Sequence, residues 1–489
     1  MSLNTNIGPE RVQVFDTPIG NVQVAGAATS VTAFLISTSQ VGAPVNTPTR
    51  ITDLQGLTDV FGGPDEIAHD AYYAVKGYYD NAGTGAVAII VNVGSSATAS
   101  DYIGNASASS GLRALDAQDD LGLVTAPGLP LSMAYLVQPA IIDYSETVRA
   151  EFGSTLSTCF SLLAMPKEIQ KANSNTVVRT EKFISVSGSG PYVLHVEDTV
   201  GGGTANLSSV TPGMIVTNTS ESFKAVISAV SDGADTITIL TNPGVNFSAG
   251  DDVLVKIPSA VTYKDTVVNN PSRVCAWYFN NLNVNDESST AQPGDQVSVD
   301  PIGHVAGVIG RIDANISIGG VSHAPAGIQY AGLAGITGLS LALSERTDAE
   351  PLRLAFINRI TSFPGSGNVI FGGYTAGGSA VTADEQLIQV MRSLQYIKGS
   401  LERGLRGFLW ENFSPETQSQ VERAVASFLR NNSYLFPAGL PEAQQFRVLR
   451  VEATQSDLDI GLLKVRALVK PNKAVRFIEV SLEYPLPTA

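Results

Sequence analysis

The sequence predicts a multidomain α/β protein: a mixed-sheet core with flanking helices, an inserted all-β module, and extended β arms at both chain ends. Three observations carry that prediction. Apolar strand-like runs alternate with amphipathic helix patterns over residues 27–171 and again after 263, the mark of a layered α/β core. Between them, residues 172–262 lose every helical pattern and keep short alternating segments separated by turns. Near the two ends lie alternating apolar residues with no evident partner: Val12, Val14, Val22 and Val24 at the front, Ile478, Val480, Leu482 and Tyr484 at the back. Natural proteins usually blunt such edges, so leaving two open points to strand addition between copies. The expected divisions are an arm (1–26), a first α/β part (27–171), the β insert (172–262), a second α/β part (263–380), a C-terminal helical and β domain (381–474) and a closing arm (475–489).

The elements follow in order. Residues 31–37 read as a strand. A helix over 65–81 has Pro64 at its start, Ile67, Ala71, Ala74 and Tyr78 on one face, and Gly83 beyond its end. Residues 86–91 are continuously apolar, as a strand buried on both faces requires. Ser145 is placed to cap a helix running to 157 on Val148, Phe152 and Leu156, and 159–164 is a further buried strand stopped by Pro166. In the insert, segments at 192–196, 214–217, 223–230, 236–240 and 253–257 imply a small barrel or sandwich whose ends meet, so that it projects outward. The α/β pattern resumes at 273–278. Residues 385–409 form a helix with Leu387, Met391, Leu394, Leu401, Leu405 and Phe408 inward and Arg392, Lys398, Arg403 and Arg406 elsewhere on its surface. Ser414-Pro415-Glu416 opens a second helix with a capping hydroxyl, a first-turn proline and an acid at the positive dipole end. Strands are expected at 446–453, 462–469 and 475–484.

Composition narrows the function. With 44% hydrophobic and 15% charged residues the chain is globular, and its net charge of −15 argues against a broad nucleic-acid footprint. Residues 385–489 carry 13 basic and 11 acidic side chains, the preceding 384 carry 17 and 34. The C-terminal part could thus face something acidic, or the imbalance could be chance composition of separate domains. Cys159 and Cys275 lie in apolar runs, as buried thiols in a reducing compartment do. No signal-peptide pattern opens the chain, and the Gly-rich 328–343 run is short of a membrane span, so a soluble, cytoplasmically made protein is expected.

Catalytic patterns are missing. His69, His195, His304 and His323 lack partners at metal-ligand spacing, and His304 reads as a satisfied structural histidine. There is no phosphate loop and no nucleophile elbow. The glycines at 201–203 and 372–378 read as turns, and Asp119-Asp120 and Asp251-Asp252 as solvated loops. The expectation is a protein with no catalytic residue, no metal and no cofactor.

A set of short blocks, in order over more than 300 residues, resembles the contractile tail sheath family. They begin with Ile7-Gly8-Pro9, Thr29-Ser30-Val31, Gly42-Ala43-Pro44 and Val60-Phe61-Gly62. The most specific is Gly303-His304-Val305-Ala306-Gly307-Val308-Ile309-Gly310-Arg311-Ile312-Asp313 followed by His323-Ala324-Pro325-Ala326-Gly327, with Gly310 where the family has alanine. Phe356-Ile357-Asn358-Arg359 and Val369-Ile370-Phe371-Gly372-Gly373-Tyr374-Thr375 come next; Phe371 stands in place of a tryptophan and Tyr374 in place of an arginine. Tyr396-Ile397-Lys398-Gly399, Trp410-Glu411-Asn412 and Phe446-Arg447-Val448 complete the series.

The resemblance implies a structural subunit of a virion tail or injection particle, assembled in the bacterial host cytoplasm. Six copies would ring an inner tail tube protein, and rings would stack helically between a baseplate and a tail terminator or cap. Contraction would drive the tube through a target envelope without nucleotide. Terminal arms would join neighbouring copies, and Arg392, Lys398, Arg403 and Arg406 become candidates for contact with the tube or a neighbour. Neither direct nucleic-acid binding nor membrane insertion is implied. The rival readings are a static virion or baseplate component, and an enzyme or carbohydrate-binding module using the insert.

Overall fold

The computed structural model describes residues 24, 26, 29–68, 70–150, 157–198, 204–244, 246–450, 454–459 and 461–476. The first half of the core supplies β1 (Thr32–Ile36), β2 (Thr49–Ile51), helix α1 (Ala71–Ala82), β3 (Ala88–Asn92), β4 (Leu123–Thr125), α2 (Leu131–Asp143) and β5 (Phe160–Ala164). Two helical expectations need correction. Helix α1 begins six residues late, because Ile67 bridges Thr38 and the Ala68 N–H donates to the Ser37 carbonyl at 2.7 Å, holding 66–68 to the end of β1. Ser145 does not cap a helix, and residues 151–156 of the helix expected from it, Phe152 and Leu156 among them, fall outside the described residues. Ser145 is buried in the wide turn Tyr144–Val148 that closes α2, its hydroxyl on Ser161. Helix α2 contains Pro139 and is apolar on several sides because it lies between sheet and barrel, so it shows no amphipathic period.

Residues 176–257 close into a six-stranded barrel, in the order β10-β7-β6-β11-β8-β9. The strands are β6 (Thr176–Ser187), β7 (Tyr192–Asp198), β8 (Ile215–Thr217), β9 (Lys224–Ser231), β10 (Thr236–Ile239) and β11 (Asp252–Ile257). Alternate residues such as Leu194, Val196, Ile227, Ile237, Val253 and Val255 fill it. Ile257 pairs with Thr176, so the chain enters and leaves side by side. The barrel rests on the start of α2, where a side chain at Gly213 would meet the Leu131 carbonyl at 2.6 Å.

The core resumes with β12 (Cys275–Phe279), β13 (Leu282–Asn285), β14 (Gln296–Val299), α3 (Ile302–Ala314), β15 (Gly338–Leu339), β16 (Ile357–Phe363) and β17 (Gly367–Phe371). The main sheet runs β17-β16-β12-β5-β4-β1-β3-β2, with antiparallel strands at its two edges and parallel pairing between. Every residue of β1, β3, β4, β5 and β12 is buried, as parallel strands covered on both faces must be. Ala33, Leu35, Ile89 and Val91 face α2 and the barrel; Phe34, Ile36 and Ile90 face α1 and α3.

The C-terminal part holds α4 (Ile388–Gly404), α5 (Pro415–Asn431) and the hairpin β18 (Phe446–Arg450) and β19 (Val465–Val469). The Ser414 hydroxyl accepts from the Thr417 N–H at 3.1 Å, the cap its sequence predicts. Val421, Val425, Phe428 and Leu429 pack with Ile397 and Phe446 into a third core. The predicted arm residues Val12, Val14, Val22, Ile478, Val480, Leu482 and Tyr484 lie outside the described residues.

Candidate functional site: the helix clamp and the ends of α4

The block from Gly303 to Asp313 forms α3, and its small residues have a steric purpose. A Cβ at Gly303 would stand 1.9 Å from the Ala74 carbonyl oxygen, and one at Gly307 would stand 2.5 Å from that of Tyr78. Helices α1 and α3 therefore touch backbone to backbone. Gly77 in α1 leaves room for the His304 ring in the same way. His304 is buried but not satisfied: among the described residues its Nδ1 has no hydrogen-bond partner, and burial pulls its pKa down to about 4, leaving the imidazole neutral.

The end of α3 carries two charged groups with separate tasks. Arg311 donates to the carbonyls of Tyr330 and Gly332 at 3.2 and 2.7 Å. Asp313 accepts both arms of the Arg392 guanidinium, at 2.8 and 2.6 Å, and Arg392 also donates to the Thr29 carbonyl at 2.9 Å. The two side chains are only 3% and 4% exposed. The sequence expectation that Arg392 lies on the outer surface of its helix is corrected here. It is an internal clamp joining α4 to α3 and to the segment leading into β1, and one bidentate carboxylate satisfies its charge.

Of the other three cations, Lys398 and Arg403 lie along the rest of α4 and Arg406 lies just past its end, in the tight turn Leu405–Phe408. Lys398 is mostly buried and pairs with Glu402 at 3.2 Å. The Arg403 Nε donates to the Gly399 carbonyl at 3.2 Å. Arg406 is 62% exposed, with Asp119 at 3.7 Å. Next to it Leu409 is largely exposed and Trp410 fully so. Sequence reading did not single this apolar tip out as a contact; the signal was two large apolar residues immediately past the last turn of a helix.

The described ends of the chain meet opposite ends of α4. Val24 lies against Gly404, and Gly26 against Tyr396. Ala474, Val475 and Arg476 line the same groove as Leu387 and Gln389, at the start of α4. Sixteen residue steps of helix, about 24 Å, separate the two exits.

The crevice beyond the carboxyl ends of β4 and β5, beside the point where strand order reverses between β1 and β4, is where open α/β sheets hold ligands. Here it is filled. Asp300 accepts from the N–H groups of Gly128 and Ile302, and Asp70 pairs with Lys167 at 3.3 Å. Burial first, and the Asp70 charge second, push Asp300 up to about 7. The remaining space is about 10 Å³, at the limit for one water. Cys159 and Cys275 are buried, and burial raises the Cys159 thiol to about 11. Among the described residues, no group of three or more His, Cys, Asp or Glu is placed to hold a metal, and no helix is long and apolar enough to cross a membrane.

No family model matches the chain, and no curated protein matches it. Solved structures do. The helical sheath of the anti-feeding prophage in its contracted state has a TM-score of 0.60 at 18% identity, covering 98% of this chain and 99% of that one. The chain has the contractile sheath fold. The sheath complex of the extracellular contractile injection system PVC, also contracted, shares that sheath fold with a TM-score of 0.60 at 14% identity, 98% of each chain being covered. A chain of the six-fold symmetrised anti-feeding prophage baseplate does so at 0.59 and 16% identity, covering 99% of this chain and 100% of that one. In this protein the sheath fold contains a glycine-seamed helix pair and the Asp313–Arg392 clamp.

Proposed function

We propose that the chain is the structural subunit of a contractile sheath. Hexameric rings of it stack helically around an inner tube, and contraction drives that tube through a target envelope. The observation that carries the reading is the sheath fold matched from end to end of the chain. The baseplate match supports a place next to a baseplate, and the tube protein and a terminator or cap complete the expected partners. The particle is assembled in the bacterial host cytoplasm, with no direct contact to nucleic acid or membrane.

The geometry supports this reading at three points. The buried Asp313–Arg392 clamp ties the α/β core to α4, so both parts can rotate as one rigid body while inter-subunit contacts change. The described ends of the chain lie near opposite ends of α4, which suits arms reaching two different neighbours. The barrel, entered and left by adjacent strands, is an outer decoration. Arg406 above all, with Arg403, Leu409 and Trp410, forms the surface offered to the tube or a neighbouring copy, while Lys398 is mostly buried and paired with Glu402. Arg392 is no part of that surface.

Negative-stain electron microscopy of the purified chain tests the proposal. Hollow tubes or stacked six-fold rings are expected, and deleting residues 1–24 or 475–489 should abolish them. Compact monodisperse particles that persist after co-expression with the tube protein would sink it.

A further inference from the structure

Gln389, in the first turn of α4, is 1% exposed, and among the described residues neither its Nε2 nor its Oε1 has a hydrogen-bond partner. A buried amide with both its donor and its acceptor idle is rare in folded proteins. It lines a groove of about 400 Å³, within the range of ligand clefts. Ala324, Ala326 and Gly373 form its floor around the amide: a Cβ at Gly373 would lie 3.8 Å from Gln389 Oε1 and 3.7 Å from the Ala324 Cβ. Arg353 and Arg359 line it too, paired with Glu350 and Glu345. A primary amide offers one carbonyl and one NH₂, the complement of a peptide unit.

We propose that this groove is a docking slot for an extended strand, and that its occupant in the free subunit is the chain's own C-terminal segment, residues 477–489. The last described residues, Ala474, Val475 and Arg476, already lie along the groove. Four further residues at about 3.3 Å each carry the chain over the floor. The segment alternates Ile478, Val480 and Leu482 with Glu479, Ser481 and Glu483. Apolar side chains then face the alanine floor, and Glu479 is left toward Arg353 and Arg359. The present partners of those arginines, Glu350 and Glu345, have side chains 53% and 62% exposed, so a further carboxylate can compete for them. A short tether supplies a local concentration of about millimolar, favouring the chain's own segment over a second copy. The slot thus keeps the segment at home until a neighbour takes it up. The inference goes beyond the sheath reading and does not need it, since its readouts are made on the monomer.

Hydrogen exchange on the full chain at low concentration tests the slot. The amides of residues 478–482 are expected to be protected. Gln389→Leu should lower that protection about tenfold, by loss of the amide's hydrogen bonds, and Ala326→Trp should remove it by filling the floor. Protection that is missing, or indifferent to both substitutions, overturns the proposal. A full chain carrying Ala326→Cys and Val480→Cys distinguishes the source. A disulfide within the monomer, independent of concentration, supports the chain's own segment. Covalent dimers would overturn it in favour of a second copy.

Discussion

The two ends of helix α4 carry the same kind of side chain and use it in opposite ways. At the N-terminal end Arg392 is enclosed, gripped by Asp313 and the Thr29 carbonyl, and holds two parts of the chain together. Just past the C-terminal end Arg406 lies in solvent near Leu409 and Trp410, with one long ion pair to Asp119. A cation inside a protein has to be fully paired where it stands, whereas an exposed one contributes little until a partner covers it. Internal cohesion is therefore built at one end of the helix, while the other end is left open to solvent.

The clamp is the place to break first. Arg392→Ala should cost about 3–5 kcal/mol in urea unfolding, because it leaves the Asp313 carboxylate buried and unpaired. Asp313→Leu combined with Arg392→Met should recover most of the loss. If Arg392→Ala were as stable as the parent, the clamp would have no mechanical meaning.

The seam beside the clamp sharpens the comparison at smaller scale. Gly303→Ala should cost about 1–3 kcal/mol, since its Cβ would meet the Ala74 carbonyl. Gly310→Ala, whose Cβ would find Ser30 and Ala82 at 3.5 and 3.6 Å, should stabilise by about 0.5–1 kcal/mol through helix propensity alone. Thermal melts of the two variants should move in opposite directions. At the exposed end, Arg406→Gln with Trp410→Ser should change stability by no more than about 0.5 kcal/mol, yet lower tube-bound assembly in sedimentation assays. Undiminished assembly would remove this surface from the contact.

Local chemistry explains which elements were legible. The α5 cap at Ser414 and the all-buried strands β1, β3 and β5 could be read directly, because a capping hydroxyl or an unbroken apolar run has the same consequence wherever it stands. Helix α2 was not legible, since a helix covered on several sides has no polar face to set a period. The Gly303–Asp313 block could be recognised as a pattern, but nothing local says that its glycines face Ala74 and Tyr78 or that its aspartate meets an arginine 79 residues away.

By itself, then, the sequence determined the alternation of strands and helices, the β character of residues 172–262, and the resemblance that led to a sheath. Those follow from periodicity, turn chemistry and the order of short motifs, all properties of neighbours along the chain. Only the tertiary structure decided which cations are inside, that the Gln389 amide has no partner among the described residues, and that the described ends of the chain lie near opposite ends of α4. Burial and pairing depend on residues brought together from distant parts of the chain. The arginines of α4 are alike in sequence and become different only when Asp313 is folded against one of them.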